Sequence, residues 1–335
     1  MKWETLFSAQ RIGQHTSRQE PRSGFQRDFD RLIFSSPFRR LQNKTQVFPL
    51  PGSTFVHNRL THSLEVASVG RSLGSMVGSS LSECLEDTTG DCKIFYQYEL
   101  SNVIAAGCLA HDIGNPAFGH SGEKAISAYF IDNASTLIDQ QPLQSFFTTN
   151  QWADISNFEG NANAIRILTH TFKGRLSAGL GLTYTTIASI LKYPCSSSEI
   201  NRSFKHRKKY GFFQSESEIV HEIATQLGML PEEGTTGFKR HPFVYLVEAA
   251  DDICYRVIDV EDAHRLGLLD FTLVKDSFLS VIQAISDSNR LDRIHATCSR
   301  IADKNETISY LCPQSFGIVG GTSVLFFGLC GWAPV

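Results

Sequence analysis

Leu100–Ala110 reads LSNVIAAGCLA, almost without a polar side chain, and runs directly into His111-Asp112. A continuous apolar run of helix length suits a helix buried on most sides, and Gly114-Asn115-Pro116 ends it, since glycine and proline each stop a helix for a separate reason. A histidine and a carboxylate therefore sit together at the end of a core helix. Outward from it, Arg22 to Val47 (RSGFQRDFDRLIFSSPFRRLQNKTQV) places Phe25, Phe29, Leu32, Ile33 and Phe38 at helical spacings. Arg59 to about Val77 repeats the pattern with Leu60, Leu64, Val66, Val69 and Leu73, and Thr61 stands at an N-cap position. Ser121-Gly122-Glu123 opens a helix through Phe130, residues 131–156 read as a connector, and Phe158–Leu168, Thr186–Leu191 and Pro242–Ala263 read as helices. The fold class this predicts is all-α.

The 335 residues, 41% hydrophobic, are enough to bury a substantial core as one large domain or two ordinary ones. A formal net charge of −3 excludes a protein that binds nucleic acid or anionic membrane by being basic overall, so any anion site must be local. Eight cysteines without a CxxC, behind an N-terminus lacking a signal-peptide core, point to reduced thiols and the cytoplasm. Charges interrupt every hydrophobic run before about residue 312, which argues against a bilayer span. The last 24 residues, Cys312–Val335, carry no charge and break the helical pattern. A membrane or interface segment, a buried tail and a shifted reading frame compete to explain them, the last being the preferred expectation.

His62, His111, Asp112 and Asp251 all lie in apolar helical contexts. Each alone fits an ordinary core residue, Asp251 with Arg256 as its salt-bridge partner. Together they suit a divalent cation, because a carboxylate buried within FVYLVEAADDICY needs a counter-charge. Two imidazoles and two carboxylates accept Mn²⁺, Mg²⁺, Fe²⁺, Co²⁺, Ni²⁺ or Zn²⁺ with positions left for water. His120 and Glu123 are three apart at a helix start and share a face, as an acid/base pair would. The loop Gly114–Ser121 imitates a P-loop, but His120 replaces its lysine and a helix, not a strand, precedes it, so a P-loop NTPase is rejected. The basic run NRSFKHRKK (residues 201–209) and Lys192-Tyr193 supply local positive charge.

From about Arg22 to Leu311 these motifs resemble the HD-domain deoxynucleoside triphosphate triphosphohydrolases of the bacterial dGTPase type. The resemblance runs through RSGFQRDFDRLIFSSPFRRLQNKTQVF, NRLTHSLEVA, AHDIGNPAFGHSGE, FEGNANAIRIL, LKYP, YGFFQSE and VEAADDICYRVIDVED. It implies an HD-type helical bundle over residues 1–311, with a metal core at about 55–270 and an atypical tail at 312–335. It also implies metal ligands His62, His111, Asp112 and Asp251, with Mn²⁺ or Mg²⁺ foremost, and an acid/base pair His120 and Glu123. Phosphate contacts fall on Arg59, Lys192, Tyr193 and Lys209, and a deoxyribose pocket on Gln46, Tyr255 and Asp259. Tyr255 lies four residues from both Asp251 and Asp259, so the three share a helix face.

The implied reaction is attack of an activated water on the α-phosphorus of a dNTP, dGTP by default, releasing deoxynucleoside and triphosphate. A homo-oligomer is implied, and a nucleic-acid effector is left open. The departure after ISYL leaves two alternatives: an inactive nucleotide-binding remnant, or an HD phosphohydrolase acting on another nucleotide.

Overall fold

A computed structural model of the chain describes residues 1–13, 21–46, 57–86, 90–171 and 179–315. The all-α expectation holds. Helices are α1 (Gly24–Ile33), α2 (Ser36–Arg39), α3 (Arg59–Cys84), α4 (Asp91–Ile94), α5 (Leu100–Ala110), α6 (Gly119–Asp132), α7 (Thr149–Ser156), α8 (Gly160–Thr169), α9 (Tyr184–Ile190), α10 (Ser217–Gln226), α11 (Phe243–Arg265), α12 (Phe271–Ile285), α13 (Ser288–Cys298) and α14 (Lys304–Gln314). Among the described residues the only sheet is a two-residue hairpin, β1 (Leu137–Ile138) against β2 (Gln141–Pro142).

The chain divides into two compact units, one of Met1–Pro51 with Asn58–Asp251, the other of Gly52–His57 with Asp252–Val335. In the first, α5 is the central element: Val103, Ile104, Ala105, Ala106 and Leu109 are fully enclosed, and α1, α3 and α9 pack around it. Glycines on α3 make the closest approach. A Cβ at Gly70 would lie 2.4 Å from Cys108 Sγ, one at Gly74 2.8 Å from Ser101 Cα, and one at Gly78 2.1 Å from the Tyr96 carbonyl oxygen. The i, i+4, i+8 spacing puts all three on one face, which lets two backbones meet where any larger residue would hold them apart. Beside this core, buried Asp28 of α1 accepts from Arg11 Nη1 at 2.6 Å and from the backbone N–H and hydroxyl of Thr183. That network fastens the N-terminal segment and the start of α9 to α1.

In the second unit Val257, Val274, Phe278, Ile282, Ile294, Ile308 and Leu311 form the core, and α12, α13 and α14 each open on an aspartate cap, Asp270, Asp287 and Asp303. His57 is held by Asp262, through its backbone N–H and through Nδ1 at 2.8 Å.

Three local expectations are corrected. The N-cap of α3 is Asn58, whose side chain accepts from the N–H groups of Leu60 and Thr61, while Thr61 returns a bond at the third helical position. Asparagine is the stronger cap, and Thr61 completes a capping box. The connector at 131–156 contains the β1–β2 hairpin and all of α7, which Thr148 and Gln151 cap reciprocally. Helical structure also persists past Cys312 to Gln314, with Leu311 and Cys312 buried; residues 316–335, most of the uncharged tail, lie outside the described residues. None of the described helices is long and apolar enough to cross a membrane.

Candidate metal centre

His62 stands one turn into α3, almost fully buried, with Nε2 3.0 Å from Asp251 Oδ1. His111 is the C-cap of α5. Its Nδ1 donates to the Cys108 carbonyl at 2.6 Å, which fixes the proton on that nitrogen and turns Nε2 toward the carboxylates. Nε2 lies 3.5 Å from Asp251 Oδ1 and 3.6 Å from Asp112 Oδ1. Asp251 comes from mid-α11. One donor atom from each of His62, His111 and Asp251 falls within 4.8 Å of the others. Three helices distant in sequence thus bring two imidazoles and a carboxylate to one point.

Asp112 stands beside this point in a different arrangement. Its Oδ2 accepts from Arg59 Nη1 at 2.5 Å and its Oδ1 from the amide of Asn115. Arg59, placed among the phosphate contacts by the resemblance, therefore pairs with an expected metal ligand. Gly119, at φ 51°, makes room for that arginine, since a Cβ there would lie 2.8 Å from Nη2.

The donor set suits a divalent cation. His111 Nε2 is buried and faces the carboxylates of Asp112 and Asp251, so nitrogen and oxygen donors converge there. Burial opposes charge on this ring, yet Asp112 and Asp251 carry its pKa up to about 9. For Asp251 burial acts the other way, and the two imidazoles overcome it and hold the carboxylate ionised well below its usual range. The centre is built to accept positive charge among nitrogen and oxygen donors.

Beside it, His120 Nδ1 meets Glu123 Oε2 at 2.8 Å, with the imidazole largely open to solvent and the carboxylate buried. Glu123 Oε1 accepts from the Gly160 N–H at 2.8 Å, and Lys209 Nζ lies 3.7 Å from Oε2. Burial would raise the Glu123 pKa, but the bonds from His120 and Gly160, with Lys209 beyond them, lower it. Glu123 is thus an ionised anchor for an exposed imidazole. Lys209 makes its shorter contact, 2.8 Å, with Glu159.

Lys192 Nζ lies 3.0 Å from Glu248 Oε1, while Tyr193 is buried. Gln46 Oε1 is buried without a hydrogen-bond partner among the described residues. Tyr255 and Asp259 lie on α11 beyond Asp251, in the second unit, Tyr255 half exposed. Glu159, Arg240 and Glu248 went unnoticed in the sequence, where Asn115 figures only in the helix stop. Glu248 alone carried a local signal, being three residues before Asp251 on the same helix.

Residues 59–159, which hold His62, the His111-Asp112 doublet and the His120–Glu123 pair, match the HD domain family, and this is an HD-domain protein. Along most of its length the chain is similar to proteins named deoxyguanosinetriphosphate triphosphohydrolase-like. It is 41% identical over 285 residues to the protein of that name from Pseudomonas aeruginosa, covering 84% of this chain and 61% of the relative. It is 40% identical over 295 residues to the one from Synechocystis sp., covering 84% and 64%. A deoxyguanosinetriphosphate triphosphohydrolase of Yersinia pestis is 34% identical over 295 residues, covering 81% of this chain and 56% of that one. The chain spans a little under two thirds of the length of the first two relatives.

Proposed function

We propose that this protein hydrolyses a deoxynucleoside triphosphate, dGTP foremost, to the deoxynucleoside and inorganic triphosphate. The observation that carries the reading is the meeting of His62, His111 and Asp251 from α3, α5 and α11 within 4.8 Å, next to a histidine that is exposed yet anchored. The names of the relatives supply the substrate class. Asp112 would complete the ligand set, and a divalent cation so held supplies Lewis acidity and a water of lowered pKa.

The chain's own residues then divide the remaining work. His120 projects from α6 with Nδ1 fixed on Glu123, which leaves Nε2 to pass a proton to or from the reacting oxygens. Glu123 orients the ring, and Gly160 and Lys209 keep Glu123 ionised. Arg59, on the first turn of α3, lies where it balances Asp112 or meets a phosphate oxygen. Lys192, a third exposed, and Tyr193 supply a cation and a hydroxyl to the polyphosphate. Hydrolysis at the α-phosphorus requires the tail to be held in line, which a set of fixed cations accomplishes. Gln46, Tyr255 and Asp259 form the proposed sugar contacts, and cytoplasmic location and homo-oligomer formation complete the reading.

Incubating the purified chain with Mn²⁺ and dGTP, and separating products by anion-exchange chromatography, tests this. Deoxyguanosine and triphosphate in equal amounts are expected. Release of orthophosphate or pyrophosphate in their place, or cleavage of cGMP or dGMP but not dGTP, would overturn it.

A further inference from the structure

Arg240 lies in the loop before α11 and its side chain is only 4% exposed. Its Nη1 donates to Glu248 Oε2 at 2.9 Å, while Nε and Nη2 are enclosed without a hydrogen-bond partner among the described residues. The guanidinium carbon is 5.6 Å from the ring centre of Tyr193 and 5.8 Å from that of Tyr245, distances at which an aromatic face attracts a cation. An enclosed guanidinium has no direct access to a ligand. What it reaches is Glu248, one turn before Asp251 on α11.

Glu248 has two oxygens and two cationic partners. Oε2 takes Arg240, and Oε1 lies 3.0 Å from Nζ of Lys192, which is a third exposed. The trio carries one net positive charge, and the open end of it is Lys192. Were Arg240 absent, Glu248 and Lys192 would form a closed neutral pair, and a polyanion would have to break that pair to use the lysine.

We propose that Arg240 is a positioning residue: by occupying Glu248 it leaves the charge of Lys192 available to the phosphates of the substrate. The inference rests on the assignment of Lys192 to the polyphosphate in the proposed function. It adds a specificity element, since the unbalanced charge favours ligands with several phosphates over a monophosphate.

Four versions of the full chain test it: wild type, R240Q, E248Q and R240Q/E248Q. Each is checked for fold by circular dichroism, titrated calorimetrically with sodium triphosphate in the metal-free state, and assayed with dGTP. R240Q is expected to raise both the Kd for triphosphate and the KM for dGTP by about tenfold, with kcat within about twofold. E248Q, which leaves two cations with no carboxylate between them, is expected to tighten triphosphate binding. The double variant, with Lys192 facing a neutral amide, is expected to return to within about threefold of wild type.

A purely structural arginine predicts no such recovery. A double variant no better than R240Q, an R240Q protein with unchanged Kd and KM, or an E248Q protein that binds triphosphate no more tightly overturns the inference, and E248Q decides alone if R240Q does not fold. A wild-type chain that binds triphosphate but hydrolyses no dNTP refutes the proposed function, while the titrations still decide the role of Arg240. A wild-type chain that binds no triphosphate refutes the inference itself.

Discussion

Asp251→Asn removes the one carboxylate that lies against both imidazoles, at 3.0 Å from His62 Nε2 and 3.5 Å from His111 Nε2. The amide has nearly the same volume, so the packing of α11 is preserved while the anionic donor is lost. If the centre holds Mn²⁺ with a Kd of about 10 μM, 1 mM Mn²⁺ stabilises the folded chain by about 2.7 kcal/mol. For a protein of this size that is a rise in Tm of about 4 °C. Loss of groups that merely support metal ligands weakens binding about 10–100-fold, so loss of a ligand is expected to weaken it by about 100-fold or more. The Kd then reaches about 1 mM, the stabilisation falls to about 0.4 kcal/mol, and the shift shrinks to about 0.6 °C. The assay is thermal unfolding of EDTA-stripped protein with and without Mn²⁺, paired with metal analysis after dialysis. A variant that kept the wild-type shift and the wild-type metal content would falsify the assignment of Asp251 as a ligand, and with it the reasoning from convergence to coordination.

Replacing His120 with Asn is expected to lower kcat by about 10²–10⁴-fold while leaving the Mn²⁺-induced shift intact, because this imidazole is anchored on Glu123 and lies outside the three-residue cluster; loss of the shift would show instead that His120 binds the metal. A pH effect is expected from His241, which is fully buried, with Nε2 donating to the Leu6 carbonyl and Nδ1 accepting from the Phe243 N–H. Burial lowers its pKa from 6.5 to about 4. The neutral ring's contribution is therefore complete above pH 6.5 and is lost as pH falls from 6.5 through 4, by about 3 kcal/mol at most. In urea unfolding, His241→Gln is expected to flatten the stability difference between pH 7 and pH 4.5 by up to that amount, and a variant whose stability falls as steeply as wild type across the interval would contradict it.

Patterns confined to one segment were readable from the sequence. The apolar run of α5, the helical spacing across α3 and α11, and the shared face of Asp251, Tyr255 and Asp259 all follow from a 3.6-residue period. What escaped is pairing between segments far apart. Arg59 pairs with Asp112 and Lys209 with Glu159, and although three of these four stand out in the sequence, periodicity carries no information about their partners. The run at 201–209 shows the limit most plainly. It reads as uniform positive charge, yet Arg207 bonds the Glu199 carbonyl and Lys209 faces Glu159, so part of that charge holds local structure. The capping of α3 by Asn58 and the presence of α7 were missed for a different reason: short polar segments owe their conformation to a few hydrogen bonds, which leave no hydrophobic trace.

At Gly74 and Gly78 the nearest atoms across from α3 are main chain, of Ser101 and Tyr96, and at Gly70 the short Cys108 side chain, so a change of rotamer along that seam has little room to adjust their spacing. The span from His62 to His111 is thereby machined into the framework rather than tuned by the side chains around it. Anyone wishing to widen the centre for a larger ion would have to begin two turns away, at residue 70, before altering any of the ligands.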